Sequence, residues 1–123
     1  MNNLVLSTLK KTWLIDIDGT IIKHNSHKQG GDILLSGVKE FFNRVANDFI
    51  ILITAREKKY EVETKNFLEK NDIKYDIIIF DAPHGERILI NDKKISGLKT
   101  CHSINLERDS GLKNLNINIS EDL

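Results

Sequence analysis

The chain has one cysteine, Cys101, one proline, Pro83, and no excess of either charge. A single thiol leaves no internal disulfide to form, which points to a reducing cytoplasm. Eighteen Lys and Arg stand against eighteen Asp and Glu, a formal net charge of zero. No basic excess is there to neutralise phosphates, which argues against a general nucleic-acid binder. Long hydrophobic runs are missing too. Stretches such as FIILI at 49–53 are far too short to span a bilayer, so no membrane association is expected. The start, MNNLVLSTLKK, lacks a basic segment followed by a long apolar one, so no secretory leader is expected. There is no internal repeat and no low-complexity tract.

What is present is ordinary for one globular domain: 123 residues, 40% hydrophobic and 29% charged, enough to bury a core. The expected core runs over about 12–106, within a single domain 1–123. In the tail, 107–123, LNINI alternates and fits an edge strand or a frayed end. TWLID (12–16), FIILIT (49–54), YDIIIF (75–80), RILIN (87–91) and TCHSINL (100–106) read as strands. NSHKQGGD (25–32) is polar and glycine-bearing, hence a loop. Over 36–47, Val38, Phe41, Phe42 and Val45 recur at helical spacing, with Ser36 placed to cap. Over 57–70 a charged helix carries one stripe, Tyr60, Thr64, Phe67 and Leu68, its charges forming i,i+4 pairs on a solvated face. Unbroken β-branched runs separated by helices indicate an α/β fold with a mainly parallel sheet. The link from IIIF to RILIN is too short for a full helix and must be a tight or irregular crossover.

In WLIDIDGTII (13–22) two acids interrupt an apolar run. A buried carboxylate is costly unless it is paired or bound to a metal. In open parallel sheets, ligands lie beyond the carboxyl ends of strands. Three of the expected strands end there in polar residues: Asp16, Thr54, and Asn91 with Asp92. An EF-hand does not explain the acids, since it needs glycine at position six and an acid at twelve. Counting from Asp16, those places hold Ile21 and His27. A pair of turn acids leaves Thr54 and Asp92 unaccounted for. Thr54 also suits a cap for the following helix, and Asp92 a turn before KKISG. His24 and His27 lie in the loop after the acids, His102 faces a strand neighbour, and Cys101 reads as a core residue.

Asp16-Ile17-Asp18-Gly19-Thr20 resembles the first motif of the haloacid dehalogenase (HAD) superfamily, a hydrophobic strand followed by DxDGT. ILITAR resembles its second motif, and ILINDKK its acidic fourth. The resemblance implies a Rossmann-like three-layer sandwich and a phosphatase working through an aspartyl-phosphate. Asp16 would be the nucleophile and Asp18 the general acid and base. Gly19 would allow the backbone to leave the strand beside the phosphate, and Thr54 would donate to a phosphoryl oxygen. Mg2+ would be held by Asp16, Asp18 (through its backbone carbonyl) and Asp92. The family's usual lysine ahead of the fourth motif is missing from FDAPHGERILIND. Arg87 and His84 are the nearest candidate cations, with Lys93 and Lys94 just after Asp92. Arg87 is the preferred substitute, although it falls at the start of an expected strand and its geometry differs from that of lysine. Asn91-Asp92 stands where two acids often do. No cap domain fits between Thr20 and Thr54 or between Thr54 and Asp92, so the site is expected open, with loop 23–34 its only flap and cover coming from a partner or a second subunit. PHGERILINDKK resembles small HAD-like proteins of bacterial surface-sugar metabolism, implying a sugar phosphate or nucleotide sugar as substrate. The alternative is a catalytically weak relative that binds a phosphorylated ligand or a protein partner.

Overall fold

In the computed structural model, residues 2–123 are described. Three parallel strands organise the chain: β2 (Thr12–Asp16), β3 (Phe49–Ile53) and β4 (Ile77–Ile79). They lie side by side in chain order, with Asp16 opposite Ile53 and Ile53 opposite Ile79. A second, two-stranded parallel sheet joins β1 (Asn2–Leu6) to β5 (Leu115–Ile119). The helices are α1 (Val38–Arg44) and α2 (Glu61–Lys70), with short 3-10 turns at Ser26–Lys28 and Lys58–Tyr60. The fold is therefore α/β with small parallel sheets and few helices. No helix among the described residues is long and apolar enough to cross a membrane.

Two aspartates register the starts of the strands. Asp48 accepts from the Lys11 amide at 3.1 Å and from Trp13 Nε1 at 2.8 Å, tying the entry of β2 to that of β3. Asp76 accepts from the Ile50 amide at 2.8 Å and ties β3 to the entry of β4. Each of these amides thus finds a partner where a ladder begins. The opposite, carboxyl ends are left for the site.

The core is built around Ile17, Ile21, Ile22, Val38, Leu52 and Leu68, all fully buried. Burying an isoleucine or leucine contributes about 1.5–3 kcal/mol. Helix α1 turns Val38, Phe41 and Phe42 inward, as the helical spacing requires, and Trp13 meets Phe41 edge to face at 5.3 Å. Helix α2 buries Thr64 and Leu68, and its outer face carries the Glu61–Lys65 pair.

Several elements differ from the sequence reading. Ser36 does not cap α1. The N-cap is Gly37 at φ 76°, with no side-chain cap bond. The reason is tertiary: the Ser36 carbonyl accepts from the Leu112 amide at 2.8 Å. Backbone meets backbone there so closely that a Cβ on Gly37 would overlap the Lys113 backbone, and one on Gly111 the Ser36 carbonyl. The expected strands 87–91 and 100–106 are irregular. Ile88, Leu89 and Ile90 are mostly exposed. Only seven residues separate Ile79 from Arg87, whereas a parallel crossover needs about a dozen or more. The segment instead turns back, with Asp81 donating to the Arg56 carbonyl and Ala82 to that of Thr54. His102 is exposed and Cys101 half-buried outside any strand. LNINI is a strand, β5, paired with an N-terminal strand that the sequence reading did not identify.

Candidate functional site

Asp16 is the last residue of β2, and the chain leaves the sheet at once. The amides of Ile21 and Ile22 both donate to the Ile17 carbonyl, at 2.9 and 3.0 Å, and the Gly19 amide donates to Ile22 at 2.7 Å. This tight turn requires φ +86° at Gly19, a conformation glycine adopts without steric cost. The Gly19 carbonyl accepts from the Asp109 amide at 2.8 Å. Both Gly19 backbone groups are thus engaged within the chain.

The Asp16 carboxylate is about one-third exposed and has two partners. Arg87 Nη1 lies 2.7 Å from Oδ1, and Thr20 Oγ1 donates to Oδ2 at 3.2 Å. The structure brings Arg87 to the nucleophile candidate across 71 residues of chain. Thr54 follows β3 one position beyond Asp16's neighbour, but it is fully buried. Its Oγ1 accepts from the Arg56 amide at 3.0 Å. The hydroxyl serves the turn into Arg56, the local capping role, and is not open to a ligand as placed.

Asp18 points to Arg56, a residue the sequence reading passed over. Arg56 Nε and Nη2 donate to the two Asp18 oxygens, each at 2.9 Å. Nη1 and Nη2 donate to Asp32 at 3.1 and 2.8 Å. Nη1 also donates to Thr64 Oγ1 of α2 at 2.9 Å. All five guanidinium N–H groups are satisfied, although the side chain is 1% exposed. Burial alone would lower the Arg56 pKa, but the hydrogen bonds and charges of Asp18 and Asp32 outweigh it and raise the pKa above its usual value. Arg56 thereby joins the turn after β2, the loop 23–35 and α2. The signal for it was ITAR: an arginine two residues past a buried strand has to find carboxylates or stay in water.

His27 packs against this cluster, edge on to Tyr60 at 4.6 Å. Its Nδ1 is buried without a hydrogen bond, 3.9 Å from Asp18 Oδ1. Burial first, then the Arg56 charge, push its pKa below the usual value, against the pull of Asp18 and Asp32.

Asp92 stands exposed in the irregular segment, where its carbonyl accepts from the Thr100 hydroxyl. Among the described residues, no group of three or more His, Cys, Asp or Glu side chains is placed to hold a metal ion. The Asp16 carboxylate faces Arg87, that of Asp18 is taken by Arg56, and Asp92 does not join them. As arranged, these residues do not fit the magnesium site that the motif resemblance implies.

Compared with protein-family models, curated proteins and solved structures, the chain matches none.

Proposed function

We propose that the protein hydrolyses phosphate monoesters, with Asp16 as nucleophile, on a capless HAD-type scaffold. One observation carries this reading: the partly exposed Asp16 carboxylate sits at the carboxyl end of a parallel strand with Arg87 Nη1 2.7 Å away. Attack by a carboxylate on a phosphate dianion needs charge neutralised. Arg87 supplies that charge, and its remaining N–H groups form a fork suited to phosphoryl oxygens. Asp16 Oδ attacks phosphorus, and the phosphorus–oxygen bond to the leaving group breaks with its electron pair. Water then attacks the aspartyl-phosphate, phosphate departs, and Asp16 is regenerated.

Asp18 serves best in the second step. Arg56 donates to both Asp18 oxygens, which leaves the carboxylate an acceptor: it takes a proton from the attacking water and has none placed to give to a leaving alkoxide. The rate should therefore rise steeply as the leaving group's pKa falls. A phosphorylated small molecule, a sugar phosphate or nucleotide sugar, suits the motif resemblance and the open site.

A second reading has a specific observation behind it. The lock on Asp18 and the burial of Thr54 suit a protein that binds a phosphorylated ligand or a partner without turning it over. Hydrolysis of p-nitrophenyl phosphate decides between the two. Activity that disappears in Asp16→Asn supports the hydrolase. A wild-type rate no higher than the variant's, across a panel of esters, sinks it in favour of binding.

A further inference from the structure

A second arginine is built against the same turn. The segment after residue 106 folds into a tight loop: the Ser110 amide and hydroxyl both donate to the Glu107 carbonyl, and Asp109 takes φ 65°. Two bonds dock this loop on the Asp16–His24 segment. The Asp109 amide donates to the Gly19 carbonyl, and Asp109 Oδ1 accepts from the His24 amide, both at 2.8 Å. Next to the anchored Asp109, Arg108 lays its stem across Gly19. Its Cγ is 3.3 Å and its Nε 3.9 Å from where a Gly19 Cβ would stand. Arg108 is exposed, and no described residue bonds or pairs with it. An ordinary surface arginine has a free backbone and a wandering head. This one directly precedes the doubly anchored Asp109, and its unspent charge extends from a stem lying over Gly19, the residue three positions after Asp16 in the chain.

We propose that Arg108 binds a second oxyanion of the substrate, a phosphoryl or carboxylate group distinct from the one that meets Asp16 and Arg87. The inference rests on the phosphate-ester reading above and narrows it: the substrate carries two anionic groups. Arg87 is already committed to Asp16, so the two arginines divide the work, one neutralising the reacting group and one selecting the rest of the molecule. The planar fork of Arg108 suits either oxyanion.

The test is calorimetric titration of the full chain with inorganic phosphate, pyrophosphate and phosphonoacetate, without added divalent cation. Wild type is expected to bind pyrophosphate or phosphonoacetate about tenfold or more tightly than phosphate, the worth of one charge-assisted contact. The tighter of the two identifies the second group. Arg108→Gln should erase that preference while leaving phosphate affinity and the thermal midpoint unchanged, and Arg108→Lys should restore part of it. Equal binding of all three by wild type overturns the proposal, as does an equal loss for all three in Arg108→Gln. No binding of any of the three overturns it together with the phosphate-ester reading, whereas phosphate binding without the preference leaves that reading standing.

Discussion

Replacing Arg56 with methionine keeps the stem and removes the charge that three elements share. Asp18 and Asp32, whose side chains are 15% and 6% exposed, would lose four hydrogen bonds between them. Thr64 on α2 would lose a fifth. Removing one partner of a buried ion pair costs about 3–5 kcal/mol, because the other is left as an uncompensated charge. Asp32 keeps its bond from Ser26 Oγ at 3.2 Å, and Asp18 keeps some access to water, so the lower half of that range applies. A domain has only about 5–15 kcal/mol in total. At a urea slope of about 2 kcal/mol per molar, the unfolding midpoint should fall by about 1.5–2 M. Adding Asp32→Asn to Arg56→Met should cost far less than the same change in wild type, since the partner charge is already gone. A midpoint shift below about 0.5 M, or strict additivity in the double variant, would refute the idea that Arg56 holds these elements together.

The Arg87–Asp16 pair behaves differently because it is partly solvated. Arg87→Gln should change stability by less than about 1 kcal/mol but lower phosphate-ester turnover about 100-fold or more, read from urea melts beside steady-state kinetics. For His27 the depressed folded pKa favours the neutral ring. Its contribution to stability is therefore full above the unfolded value of about 6.5 and is lost as pH falls through the folded one. His27→Phe, which retains an aromatic face for Tyr60, should flatten the fall in stability between about pH 7 and 5; an unchanged slope would count against this. Gly111→Ala should destabilise by about 2 kcal/mol or more, since φ is +77° and a Cβ would overlap the Ser36 carbonyl; a thermal melt checks it.

Much of the scaffold was legible because it is local. The apolar runs at 12–16, 49–53 and 77–79 carry strand character in their own residues. The spacing of Val38, Phe41 and Phe42 determines which face α1 buries. Asp16 at a strand end followed by Asp18-Gly19 marks a tight exit whatever surrounds it. RILIN shows the limit of such reading. Its residues favour a strand, but a strand needs a neighbouring edge and a connection long enough to reach it, and neither is written in five residues.

By itself, then, the sequence determined the three parallel strands β2, β3 and β4, the helix faces and the position of Asp16 at the end of β2. Only the tertiary structure decided what meets those acids. Arg87 reaches Asp16 from 71 residues away, and Arg56 reaches Asp18 from 38. Arg108 reaches Gly19 because the Asp109 loop docks there. Strand and helix character is set by neighbours within a few residues, whereas charge pairing depends on which distant segments the core brings together. A carboxylate's sequence position therefore shows that it needs a partner but not which cation will be that partner.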